Sequence, residues 1–121
     1  MGVNLTKYNP LEFAYIGDAV YELLVRKNLL GKGKINELNK IKISYVNAEF
    51  QASAYDRVKE VLSEEEFAVM KSGRNSNPKT IAKNTDPLVY KKATGLESLF
   101  GFLFLSGEFE RLNELCNSIL K

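Results

Sequence analysis

Apolar residues recur every three to four positions from Leu11 onward, and Phe13, Ile16, Val20, Leu23 and Leu24 share one side of a helical wheel. Asn9 precedes the run as an N-cap, Pro10 takes the first helical position and Gly31 follows, so the pattern predicts a helix from about Pro10 to Leu29. "LLGKGK" breaks it. A second helical region is expected from Ile35 to about Leu62, kinked near Ile43 and Ser44, with Tyr45, Ala48, Ala52 and Tyr55 at helical spacing. Ser63 and Glu66 form a capping box for a third helix to about Lys71. "SGRNSNPKTIAKNTDP" reads as one long loop, and long loops in compact domains usually carry function or are disordered. Asp86 and Pro87 open a helix to about Leu105; Ser106 and Gly107 end it, and a last helix closes at Leu120. No stretch alternates at period two for long enough to predict a strand. The expectation is an all-α fold, one domain over residues 1–121.

Two carboxylates sit awkwardly in this pattern. Gly17 and Asp18 interrupt the first helix, and glycine alone costs roughly 1 kcal/mol relative to alanine there. Asp18 falls nearly opposite the core face, which by itself describes a solvated outer position. Yet Leu11, Ala14, Tyr15, Tyr21 and Val25 make that side apolar as well, so the helix should pack on both sides, with Asp18 in a cleft or at a subunit contact. Glu97 is more anomalous, because its helical neighbours are Tyr90, Ala93, Thr94, Phe100, Gly101 and Phe104. A carboxylate on such a face must be paired, hydrogen-bonded or bound to a cation. An ion pair with Arg26 or a lysine is the plain reading; a metal ligand or an acid of shifted pKa is the functional one.

Composition narrows the chemistry. The chain has no histidine and one cysteine, Cys116, which excludes imidazole catalysis, an internal disulfide and a thiolate zinc cluster. Any metal would be held by oxygen alone, which suits magnesium or manganese. No apolar run approaches the ~20 residues of a membrane span and the N-terminus has no apolar signal core, so a cytoplasmic location without membrane attachment is expected. The net charge is only +2, but basic residues gather in two blocks: Arg26, Lys27, Lys32, Lys34, Lys40 and Lys42, then Lys71, Arg74, Lys79, Lys83, Lys91 and Lys92. Such blocks are either solvated faces or patches for a polyanion.

"LEFAYIGDAV" resembles the signature helix of the ribonuclease III family, and "TGLESLFGFLFLSG" resembles that family's second motif. "AYIGDAVYE", followed by "SGRNS" and "KNTD", is most similar to the short Mini-ribonuclease III branch, over roughly Pro10 to Leu115. The resemblance places the catalytic, metal-binding acids on Asp18 and Glu97. Classical members carry further acids where this chain has Ala14 and Thr94, a loss the Mini branch shares. It implies a magnesium-dependent homodimer, with manganese as a substitute, that hydrolyses double-stranded RNA to 5′-phosphate ends in precursor 23S ribosomal RNA. Lys71, Arg74, Lys79, Lys83, Lys32 and Lys34 are the expected RNA contacts, and a ribosomal protein could assist. Gly17 would be kept because a partner helix or the RNA backbone approaches it closely, or, with no functional role, because it packs against a neighbouring helix. Glu22 could orient water at the site, or simply pair with Arg26. The alternative is a non-catalytic RNA-binding or ribosome-associated module of the same fold; a protein-interaction domain unrelated to RNA would leave the basic blocks unexplained.

Overall fold

In the computed structural model, which describes residues 7–76 and 86–120, six helices follow one another: α1 (Pro10–Leu29), α2 (Ile35–Ile43), α3 (Ala48–Val58), α4 (Glu64–Asn75), α5 (Pro87–Leu105) and α6 (Phe109–Leu120). No strand occurs among the described residues. Local chemistry sets most boundaries. Asn9 and Glu12 close a reciprocal capping box at the start of α1, and Ser63 and Glu66 do the same for α4. The Asp86 side chain accepts from Leu88 N–H ahead of Pro87. No helix among the described residues is long and apolar enough to cross a membrane.

Two expected elements differ. The region from Ile35 to Leu62 is two helices rather than one kinked helix. Asn47 makes the break: its amide donates to the carbonyls of Ile43 and Ser44 at the end of α2, while its oxygen accepts from Phe50 N–H to start α3. Helix α4 runs one turn beyond Lys71, taking Ser72–Asn75 out of the expected loop. Gly73 explains the extension, since a Cβ there would collide with Ser98 of α5; the smallest residue lets α4 lie flush on its neighbour.

Helix α5 runs through the middle, packed against α1, α3 and α4; of "GFLFL" it buries Gly101 and Leu103, while Phe104 stays 40% exposed. Leu96, Leu99, Phe100 and Leu103 join Tyr21, Val25, Tyr55, Met70 and Leu115 in the core. Helix α1 also meets α2, α4 and α6, so its buried arc is wider than an amphipathic surface helix would need. This corrects the face assignment: Tyr21 and Val25 are core residues, Val25 at 0% exposure, whereas Leu23 is 61% exposed. The side left open is a stripe through Leu11, Tyr15, Asp18, Ala19, Leu23 and Arg26. Helix α6 is clamped by Arg111, which reaches both Glu66 oxygens at 2.9 Å and the Val61 carbonyl at 2.8 Å.

Candidate active site

Gly17 and Gly101 mark the crossing of α1 over α5. A Cβ on Gly17 would fall onto the carbonyl of Glu97, and one on Gly101 onto the carbonyl of Phe13. The two backbones therefore touch, and only glycine permits this at either position. The close approach that Gly17 serves is a helix of the same chain. Because Asp18 follows Gly17 and the Glu97 carbonyl sits against Gly17, the crossing carries both acids to one place.

Asp18 and Glu97 line one cleft, close enough for the Asp18 carboxylate to act on the Glu97 carboxyl. Asp18 is exposed; Glu97 is largely enclosed, and Gln51 of α3 donates to it from 3.4 Å. Burial first, then the hydrogen bond and negative charge of Asp18, push the Glu97 carboxyl up to about 8, against the weaker pull of Gln51. The expected ion pair of Glu97 with Arg26 or a lysine does not form among the described residues. Arg26 instead holds Glu22 at 2.6 Å, with Lys42 at 3.5 Å from the same oxygen. That triad depresses the Glu22 carboxyl, through its hydrogen bond to Arg26 before all else, and leaves Glu22 committed to a surface pair.

An open cleft of 590 Å³, lined by Leu11, Ala14, Tyr15, Tyr90 and Thr94, ends on Asp18 and Glu97. A second hollow of 390 Å³ shares Asp18 and continues past Ala19 to Glu22 and Arg26. Ala14 and Thr94 line the cleft without supplying charge, and the Thr94 hydroxyl donates to the Tyr90 carbonyl of its own helix. A separate hollow near Asn28, Lys32, Tyr45 and Asn117 has no acid in its lining.

Two facing carboxylates with no basic partner among the described residues form a donor set suited to a hard divalent cation. Such a cation would be held by these oxygens and complete its shell with water. No cluster of three or more metal-ligating side chains occurs among the described residues, so the protein would supply two acids rather than four. The basic candidates are dispersed. Lys32 and Lys34 are exposed in the turn beyond α1, whose last residue lies about three helical turns from Asp18. Lys71 is exposed on α4, Arg74 lies over the Tyr55 ring at 5.9 Å, and Lys79 and Lys83 lie outside the described residues. Gln51 is not among the residues the sequence singles out. Its signal was one amide on the stripe of Ala52, Tyr55 and Val58 that α3 buries.

Residues 11–108 match the Ribonuclease III domain. The chain belongs to the ribonuclease III family. Within it, the likeness is to proteins named Mini-ribonuclease 3: 41% identity to that of Clostridium tetani, covering 97% of this chain and 80% of the relative, and 45% to that of Enterococcus faecalis, covering 93% and 89%. The crystal structure of a Fusobacterium nucleatum protein superposes with a TM-score of 0.88 at 32% identity, covering 98% of this chain and 97% of that one.

Proposed function

We propose that this chain cleaves double-stranded RNA with the help of magnesium or manganese, using Asp18 and Glu97. Its family makes it an endoribonuclease acting on RNA; the metal, the duplex and the residues are the finer reading. The observation that carries it is the pairing of Asp18 with Glu97 at the end of an open cleft, with no basic side chain to cancel their charge among the described residues. A module that only bound RNA would gain nothing from two acids facing phosphate.

Asp18 and Glu97 would hold the divalent ion, which would lower the pKa of a bound water so that hydroxide is available at neutral pH and would offset charge building on the phosphate. Asp18, exposed to the cleft, is the acid the substrate reaches. Glu97, enclosed behind it with its carboxyl pushed up by burial, would have to be deprotonated to hold a cation, so cation binding would be coupled to pH. Duplex RNA is grasped through phosphates and 2′-hydroxyls, for which Lys71, Arg74, Lys79, Lys83, Lys32 and Lys34 remain the candidates. We assign the natural substrate to precursor 23S ribosomal RNA, in the cytoplasm, with a ribosomal protein as a candidate helper.

The working form proposed is a homodimer joined through the open stripe of α1. Ala14 and Val25 cannot contribute, being buried within the chain, but Tyr15 is 82% exposed beside Leu11 and next to Asp18. A two-fold pair would bring two Asp18–Glu97 sites to one duplex. The decisive test is incubation of the protein with a long RNA duplex, with magnesium or a strong chelator, followed by a denaturing gel. Cleavage only with the metal is expected; full cleavage in chelator excludes the mechanism. Light scattering of wild type and Tyr15→Glu tests assembly, with a monomeric wild type that still makes double-strand cuts overturning the dimer.

A further inference from the structure

Gln51 is 5% exposed, in the second turn of α3, on a face otherwise made of alanine, tyrosine and valine. A buried amide is costly unless it is hydrogen-bonded. The partner of its Nε2 is the Glu97 carboxylate, 3.4 Å away, and no other side-chain bond of Gln51 occurs among the described residues. The crossing of α1 and α5 locates the Glu97 backbone, but not the three torsions of its side chain. Two groups act on that carboxylate. Asp18 faces it and repels it whenever both are charged, whereas Gln51 approaches from α3 and attracts it.

We propose that Gln51 is a positioning residue for Glu97, holding its carboxylate against Asp18 so that the two acids can grip one cation. A neutral amide suits the task better than lysine or arginine would. It orients the carboxylate without cancelling the charge that a cation needs, and it does not compete with the cation for the site. The amide is itself set by the Asn47 corner: Asn47 caps α3 through Phe50 N–H at 2.8 Å, and Gln51 N–H donates to the Asn47 carbonyl at 3.1 Å. The corner is tied to α1 by the Tyr21 hydroxyl, 2.6 Å from the Tyr45 carbonyl, so α1, α3 and α5 share one frame around the acids.

The inference rests on the reading of Asp18 and Glu97 as metal ligands, and the test separates the two. Mn²⁺ is titrated into the full chain without RNA, with free ion read by electron paramagnetic resonance, for wild type, Gln51→Met, Glu97→Gln and the double variant. Methionine fills the same space without a donor. The Mn²⁺ affinity of Gln51→Met should fall about tenfold. Its kcat on duplex RNA should fall while KM and melting temperature hold, with excess magnesium restoring part of the rate. In the Glu97→Gln background the Gln51 change should add nothing, because its effect passes through Glu97. Should Gln51→Met fail to fold, Gln51→Asn keeps the amide one methylene short and carries the same expectation. A variant with wild-type Mn²⁺ affinity and kcat, or one that loses only melting temperature, overturns the positioning role. Mn²⁺ binding that is unchanged in Glu97→Gln overturns the metal reading itself.

Discussion

The crossing of α1 with α5 and the short helix α2 differ in almost every physical respect. At the crossing, backbone lies on backbone at Gly17 and Gly101, and the flanking residues Phe13, Leu96 and Phe100 are buried. Helix α2 buries only Leu38; Ile35 and Ile43 are well exposed, and its polar link to α1 is the Lys42–Glu22 contact at 3.5 Å. The two acids stand on the first region, while Lys32 and Lys34 stand just before the second. The acids proposed to share one cation sit where the chain has least freedom. Groups suited to a long, repetitive polyanion sit where small displacements cost little.

The comparison breaks most sharply at the acids. Asp18→Asn should abolish metal-supported cleavage, by about a thousandfold or more, roughly 4 kcal/mol of transition-state stabilisation, with helix content and RNA binding unchanged. Activity within a few-fold of wild type would remove Asp18 from the mechanism. The next largest effect is expected at the crossing, where Gly17→Ala or Gly101→Ala forces two backbones apart. Overpacking typically costs 1–3 kcal/mol, and a collision with a carbonyl belongs at the upper end, about 3 kcal/mol by urea denaturation. A loss below about 1 kcal/mol would mean that the helices separate easily.

Third comes pH. The native Glu97 carboxyl is held near 8, whereas an unfolded glutamate titrates near 4.5. Between those values the native chain binds a proton that the unfolded chain lacks. Stability of the metal-free protein should therefore be greatest toward pH 5 and fall as pH rises to 8, with a limiting slope of about 1.4 kcal/mol per pH unit. Glu22 and Glu66 are depressed and act the other way, losing stability as pH drops below their unfolded value near 4.5, outside this window. Glu97→Gln should flatten the slope and raise stability at pH 8; a variant less stable there would identify the carboxylate as structural. The smallest effect belongs to α2. Ile43→Ser should change unfolding free energy by no more than about 0.5 kcal/mol, and a larger loss would show that α2 is covered by a partner in solution.

Sequence and structure agree closely where local chemistry is strong. Asn9 with Pro10 and Asp86 with Pro87 mark the starts of α1 and α5 unambiguously, and both helices end where expected. The break at Asn47 was hidden because neither glycine nor proline announces it; one asparagine serves both helix ends. The buried arc of α1 was also illegible, since a wheel cannot tell how many neighbours surround a helix, and so Leu23 and Val25 exchange places. Among the site residues, Asp18 and Glu97 were visible as carboxylates in apolar company. The pairing of Glu97 with Gln51 depends on α3 folding back against α5, which no local pattern encodes.

The glycine crossing has one more consequence. Contacts made by side chains can be retuned, because a larger or smaller residue shifts two helices by fractions of an ångström. A contact made by carbonyls has no such adjustable part. Directed evolution of this protein can reshape the cleft walls at Leu11, Tyr15 or Tyr90, but the spacing of its two acids is closed to incremental change. A library randomised at Gly17 and Gly101 should return glycine at both positions, whatever substrate is selected for.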